Sequence, residues 1–275
     1  MRKDGEIVIR PGATAENYWR ELWIYRELFV FFAWRDITVR YKQTALGVLW
    51  ALIQPLVTML VLTFVFGRLA GMPSHGVPYP VLVYAGVLPW QLFATSLTNC
   101  SGSLVANANL LRKIFFPRLI IPASTMMVGL VDFAVALSIL VVLMAWFQVV
   151  PGIEVLALPL FLAAAFVTAL SAGVWFAALN VKYRDFRYLV PFVVQLGVYV
   201  SPVGFSTNAV PESYRFLYAL NPMASVINGF RWSLLGGDFS VDWGAFAASM
   251  ALVLALLYTG VRYFRSVENS FADVV

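Results

Sequence analysis

The sequence predicts an all-α, polytopic membrane protein with six transmembrane helices. Uncharged runs cover residues 43–67, 133–153, 155–181, 188–211 and 243–261, and a sixth apolar stretch covers about 79–101. A helix needs roughly 20 apolar residues to cross about 30 Å of hydrocarbon, so all six stretches qualify or come close. The chain is 61% hydrophobic and 12% charged, whereas soluble domains are about 25% charged. The apolar runs are continuous rather than alternating, which argues against a β-barrel.

Residues 1–16 are polar and predict a mobile tail, and residues 17–42 predict an amphipathic helix with its connector. Aromatic and apolar residues recur at steps of three and four along this helix, which favours a position in the headgroup layer of the membrane. The helix residues predicted to lie at this interface are Tyr18, Trp19, Leu22, Trp23 and Tyr25. A soluble helix packed on a partner is the alternative. Residues 43–275 would then form the six-helix transmembrane domain.

Basic residues predict the orientation of the spans. If the N-terminus is cytoplasmic and six spans alternate, 16 of the 19 Lys and Arg residues fall on the cytoplasmic side. Only Arg68, Arg215 and Arg231 fall outside it. Cytoplasmic loops carry an excess of Lys and Arg, so both termini are predicted to be cytoplasmic. The net charge of +5 therefore reflects topology, and no binding of nucleic acid is expected.

The loop between spans two and three is short and unusually apolar. Leu110, Leu111, Ile114, Phe115 and Phe116 lie together there, and Pro117 is expected to end a short helix. A free loop has little reason to carry these side chains. They are predicted either to lie against the bilayer or to be covered by a protein partner.

The connection between spans five and six predicts two short helices. Residues 211–220 form the first, and Asn221 with Pro222 gives an N-cap and a first-turn proline for a second helix that ends at Gly236. Neither helix is long enough to cross the membrane. They are predicted to form a re-entrant pair or to lie on the outer surface, and irregular backbone at membrane depth needs protein or a water-filled cavity around it.

The residue types needed for catalysis are scarce. A phosphate-binding P-loop ends in Gly-Lys-Ser/Thr, but the four lysines are followed by Asp, Gln, Ile and Tyr. One histidine, one cysteine and few acids supply no catalytic residues and no metal site. The chain is therefore predicted not to be an enzyme and to carry no cofactor. ATP and Mg²⁺, if they drive transport, would bind a separate subunit.

Asp132 is the one acid assigned to the membrane-embedded part of the chain. Such a carboxylate should face the bundle interior, where it is either a structural group bound by partners or part of a proton or ion relay. A relay needs a chain of such groups, so the structural role is favoured. Most aromatic residues in the spans should be core or interfacial, but a minority could line a passage for sugars. The candidates are Trp50, Tyr84, Trp90, Trp175 and Tyr199.

Four segments together resemble the membrane subunit of polysaccharide-export ABC transporters, the type-2 permeases for O-antigen, capsule and teichoic-acid chains. They are residues 34–55 (WRDITVRYKQTALGVLWALIQP), 113–118 (KIFFPR), 180–185 (NVKYRD) and 221–223 (NPM). The resemblance covers about residues 18–270 and is nearer to the O-antigen branch than to the capsule branch.

The resemblance implies a homodimer with two copies of a cytosolic ABC ATPase beneath it and a lipid-linked glycan as substrate in the bacterial inner membrane. It implies a loop that docks on the ATPase and couples ATP hydrolysis to transport. The implied coupling residues are Asn107, Asn109, Leu110, Leu111, Arg112, Lys113, Ile114 and Phe115.

Three alternatives stay open. The first is an export permease for capsular polysaccharide or teichoic acid in place of O-antigen. A stand-alone secondary transporter should show internal repeats and several intramembrane charges, but residues 43–149 and 155–265 show no inverted repeat. A membrane glycosyltransferase would need acidic clusters that the chain lacks.

Overall fold

The computed structural model describes residues 18–42, 47–183, 185–207, 210–236, 239–268 and 271. The predicted tail at residues 1–16 lies outside these ranges, as does Arg184. The described residues contain helices and no strand. The α-helices are α1 (Tyr18–Ile24), α2 (Arg26–Lys42), α3 (Gly47–Leu62), α4 (Tyr79–Ala106), α5 (Ala108–Leu111), α6 (Ile120–Thr125), α7 (Met127–Trp146), α8 (Leu158–Lys182), α9 (Phe186–Val200), α10 (Arg215–Ala219), α11 (Pro222–Leu235) and α12 (Trp243–Val267). Among the described residues, short helices of other types cover Thr63–Leu69 (π) and Ile153–Ala157 and Glu212–Tyr214 (both 3₁₀).

Five helical stretches in the described part of the chain are long and apolar enough to cross a membrane. They are Val48–Leu69, Tyr79–Ala106, Ile120–Trp146, Ile153–Lys182 and Trp243–Val267. This confirms the predicted all-α, polytopic membrane fold. In the remaining predicted span, residues 188–211, the α-helix among the described residues is α9 (Phe186–Val200), which has 15 residues and is therefore about 22 Å long. The count of six spans stays a prediction.

The third helical stretch begins earlier than its uncharged run indicated. The run starts at residue 133, but the helical stretch begins at Ile120 and passes through Asp132. A charge-free run marks the wrong boundary here because the Asp132 carboxylate is bound by other side chains inside the bundle. Residues 147–153, which the run included, lie beyond the end of α7.

Helix α4 is the centre of the bundle. In its most apolar window 78% of the residues are buried, against 22–39% for the other four long helices. It packs against α3, α7, α8, α9 and α11. Its side chains form most of the main hydrophobic core, so the helices around α4 are held in place by contact with it.

The predicted amphipathic segment is two helices rather than one, since α1 ends at Ile24 and α2 begins at Arg26. Helix α2 packs on α6 and α7. The predicted pair between spans five and six is also present. The Asn221 side chain accepts a hydrogen bond from the backbone N–H of Met223 at 3.0 Å, and α11 ends at Gly236, whose φ is +54°. The N-cap and the glycine stop are confirmed.

Candidate functional site

The loop between α4 and α6 has a buried base and an exposed tip. Leu111 and Phe116 belong to a second hydrophobic core, whereas Ile114 and Phe115 are 52% and 65% exposed. Asn109, Arg112 and Lys113 are also exposed, and Leu110 is partly buried. The structure therefore divides the predicted coupling residues into two groups. Leu111 stabilises the fold, and the residues from Arg112 to Phe115 present a surface.

Contacts from two other segments fix the base of this loop. The ring of Phe116 lies 5.7 Å from that of Phe32 on α2. The backbone N–H of Arg118 donates to Glu268 Oε1 at 2.8 Å, and the Arg118 guanidinium donates to the Glu268 carbonyl. Burial raises the pKa of the Glu268 carboxyl, and the bonds from Arg118 partly offset that rise. The loop is thus attached to α2 and to the end of α12.

Asn107 begins the loop and is bound on two sides. Its side-chain oxygen accepts from Arg35 Nη2 at 2.9 Å, and its amide nitrogen donates to the Ser103 carbonyl at 2.9 Å. Arg35 is in turn paired with Asp36 at 2.7 Å. Asn107 therefore ties α2 to the end of α4 rather than presenting its amide to a partner.

The predicted interface residues divide in the same way. Tyr18 is buried, and Leu22 and Tyr25 pack on the same core cluster as Phe116. Trp19 and Trp23 are exposed. Helix α1 therefore buries one face against the loop and presents two tryptophans on the other, which suits the boundary between membrane and water.

A groove of about 590 Å³ runs between α3, α4 and α9. Amide, hydroxyl and guanidinium groups line much of it, although the helices that form it are mainly apolar. The polar lining residues are Arg40, Gln54, Thr58, Gln91, Thr95, Thr98, Asn99, Gln195 and Tyr199. The amides and hydroxyls can both donate and accept hydrogen bonds along the groove, and the Arg40 guanidinium can donate them.

Two of the five aromatic residues predicted to line a passage, Trp90 and Tyr199, line this groove. Trp50 is exposed on α3 but does not line it. Tyr84 is fully buried and donates to the Ala136 carbonyl at 3.0 Å, so it offers no surface to a passage. Trp175 stacks on Tyr263 at 4.9 Å, on the side of α8 that faces α12.

Sequence reasoning missed the glutamines of the groove. Gln54, Gln91 and Gln195 each lie within an apolar stretch, and a polar side chain inside a span is expensive enough to indicate function or close packing. The three glutamines are visible in the sequence, but only ionisable and aromatic residues of the spans were taken as candidates.

Comparison with known sequences decides the family. Residues 27–235, from the start of α2 to the end of α11, match the profile of the family described as ABC-2 type transporter. The chain belongs to this family. Both the groove and the loop lie within the matched residues.

Several proteins resemble this ABC-2 transporter chain over nearly its whole length. An O-antigen export system permease protein RfbA from Klebsiella pneumoniae is 28% identical over 250 residues, which cover 90% of this chain and 95% of the relative. The protein of the same name from Myxococcus xanthus is 28% identical, covering 93% and 98%. The polysialic acid transport protein KpsM from Escherichia coli is 23% identical, covering 86% and 92%. The resemblance inferred from the motifs is confirmed.

In this ABC-2 transporter, Asp132 is held by two residues at the end of α2. Its Oδ2 lies 2.7 Å from Arg40 Nη2, and the Tyr41 hydroxyl donates to Oδ1. Both carboxylate oxygens are therefore bound, and Asp132 itself is buried. This arrangement favours the structural role over the relay, because it joins α2 to α7.

Replacing Asp132 with asparagine is expected to lower the free energy of unfolding by about 1–3 kcal/mol and to leave most transport intact. Asparagine keeps a hydrogen-bond acceptor for Tyr41 but loses the charge paired with Arg40, and hydrogen bonds to charged groups contribute about 1.5–3 kcal/mol. Thermal unfolding and transport of Asp132→Asn, Arg40→Gln and the double variant would be compared. Non-additive effects of the two single substitutions on stability would show that the side chains of Asp132 and Arg40 interact. Loss of all transport by a stably folded Asp132→Asn variant would instead support a relay.

Proposed function

We propose that this chain is the membrane permease subunit of an ATP-driven exporter, which moves a lipid-linked polysaccharide of the O-antigen kind out of the cytoplasm across the inner membrane. The observation that carries the proposal is the polar groove within an apolar bundle. The similarity to O-antigen export permeases over at least 90% of the chain supports the choice of substrate.

The lining of the groove suits a saccharide chain. Hydroxyl groups of sugars both donate and accept hydrogen bonds, and the amides of Gln54, Gln91 and Gln195 do the same. Tyr199 is 61% exposed and adds aromatic surface that can pack against the C–H faces of sugar rings, whereas Trp90 contributes little because it is 7% exposed. No carboxylate lines the groove among the residues that the structure describes, so it can bind successive sugars weakly and release them. Export of a long polymer requires such weak, repeated contacts.

A second copy of the chain would close the groove. In the single chain the groove is open, and α9 also exposes Tyr188, Phe192 and Leu196. One bundle of this size is too small to enclose a wide conduit by itself. We therefore place the passage between two protomers, with α3 and α9 of each lining it.

A separate ATPase would supply the energy. The sequence lacks a P-loop, and the exposed tip at Ile114 and Phe115 offers an apolar surface to a partner. With both termini in the cytoplasm, this tip faces the cytosol. ATP and Mg²⁺ would bind the partner, and its movement would reach the bundle through the base of the loop at Phe116 and Arg118.

Capsular polysaccharide or teichoic acid is the alternative substrate class. The similarity to polysialic acid transport proteins supports it, but the identity is 23%, below that to the O-antigen permeases. A stand-alone secondary transporter fits less well. Asp132, the acid assigned to the spans by sequence, is already bound by Arg40 and Tyr41.

Deletion of this chain is expected to trap lipid-linked glycan inside the cell. Glycan exposed at the cell surface and glycan in the cytoplasm would be measured by antibody or lectin, with the intact gene restored on a plasmid as control. The purified chain would also be reconstituted in vesicles with and without its ATPase. Export that proceeds on an ion gradient alone, without ATPase and ATP, would overturn the proposal.

A further inference from the structure

Arg231 on α11 is a cation buried without a carboxylate. None of its surface is exposed, and the ion pairs in the described part of the chain do not include it. Its guanidinium binds three backbone carbonyls instead: Nε donates to Leu82 at 3.1 Å, Nη1 to Phe205 at 2.7 Å and Nη2 to Val203 at 2.8 Å. The proposed function assigns this side chain no role.

The bound carbonyls lie where the backbone leaves the helix. Helix α9 ends at Val200, and the chain then turns through residues 201–205 while staying almost wholly buried. Buried backbone outside a helix must find other hydrogen-bond partners, and a missing bond costs roughly 1–3 kcal/mol. Side chains outside the turn donate hydrogen bonds to three consecutive carbonyls of the turn. The Tyr79 hydroxyl donates to the Gly204 carbonyl at 2.8 Å. Arg231 donates to the carbonyls of the two neighbouring residues, Val203 and Phe205.

We propose that Arg231 is a positioning residue for transport, because it holds the outer end of α9 against α4. Leu82 belongs to α4, Val203 and Phe205 follow α9, and one side chain joins all three. Helix α9 carries Gln195 and Tyr199, and α4 carries Gln91, so the clamp sets the separation of two groove walls. This inference rests on the proposal that the groove is the transport path.

Close packing at Gly86 supports a clamp of fixed geometry. A Cβ atom built at Gly86 would lie 2.7 Å from Arg231 Nη2 and 2.7 Å from the Val203 carbonyl oxygen. Only glycine leaves room for α4, the guanidinium and the turn to meet there. A planar guanidinium has five N–H donors spread in one plane and can reach all three carbonyls, whereas lysine is a point charge with three donors.

The test compares Arg231→Met, Arg231→Lys and Gly86→Ala with the control Arg215→Met, which changes an exposed arginine on α10. Each is made in the full complex, with Cys100→Ala to remove the native thiol and Val200→Cys as a reporter, because Val200 is exposed at the end of α9 and does not line the groove. Complex abundance, ATP hydrolysis, glycan exported per ATP and the maleimide labelling rate of the introduced thiol are measured. Arg231→Met is expected to lower export per ATP roughly 10- to 100-fold, as misplacement of binding groups does. Its labelling rate should change several-fold, and export per ATP should fall by much more than complex abundance does.

Arg231→Lys should recover part of the export, and Gly86→Ala should shift export per ATP and labelling in the same direction as Arg231→Met. A proportional fall of abundance, hydrolysis and export would show that Arg231 serves folding alone and would overturn the inference. Unchanged labelling in both Arg231→Met and Gly86→Ala would also overturn it. If the unmutated complex exports no glycan, the proposed function fails, and the labelling rates still report whether Arg231 positions α9.

Discussion

Replacing Ile114 and Phe115 together with aspartate is expected to abolish binding of the ATPase while the permease still inserts in the membrane. Both side chains are exposed at the tip of the loop, so the change leaves the fold of the single chain intact. Burying one large apolar side chain contributes about 1.5–3 kcal/mol, so losing two removes about 3–6 kcal/mol of binding free energy. That weakens the complex by about two to four orders of magnitude. The loss of binding is measured by how much ATPase co-purifies with the tagged permease.

The matched control places two aspartates at the other end of the bundle. Val150 and Ile153 are 86% and 80% exposed in the connection between α7 and α8. Val150→Asp with Ile153→Asp makes the same chemical change there and should leave co-purification unaltered. Undiminished complex in the Ile114 and Phe115 variant would exclude this tip as the docking surface. Equal loss in both variants would indicate damage to the permease itself.

The sequence predicted the helices well because each helix depends on a local pattern of apolar residues. Long apolar runs are visible without any tertiary contact, and five of the six stretches correspond to helices of spanning length. The cap at Asn221 and the stop at Gly236 are equally local, since each depends on the conformation of one or two residues. The family motifs added the overall architecture.

Tertiary contacts determine which apolar and aromatic side chains are buried, and the sequence alone did not predict this. Leu111, Ile114 and Phe115 look alike as apolar loop residues, but the turn after α5 buries the first and exposes the other two. Tyr84 and Tyr199 are both aromatic residues in apolar stretches, yet one faces the core and the other the groove. The end of α9 was missed because residues 201–207 remain uncharged. The donors that permit the turn come from Tyr79 and Arg231, far away in the chain.

A tryptophan in place of Ala94 is expected to stop glycan export and leave the complex with the ATPase intact. Ala94 lies on α4 in the wall of the groove, between Gln91 and Thr98. An indole there covers the amide and hydroxyl groups that a saccharide would use and occupies part of the roughly 590 Å³ available. Because the groove is open in the single chain, the added side chain should cost little stability. Export falling to background, with ATPase co-purification unchanged, is the expected result.

The same substitution on another face separates blockage from general damage. Ala251 is exposed on α12 and does not line the groove, so Ala251→Trp adds an equal side chain elsewhere in the membrane. The Ala251→Trp variant should export glycan at the normal rate. Normal export by Ala94→Trp would exclude the groove between α3, α4 and α9 as the path. Shortened glycan at the cell surface would still support it, because a narrowed passage slows a chain that must move through it sugar by sugar.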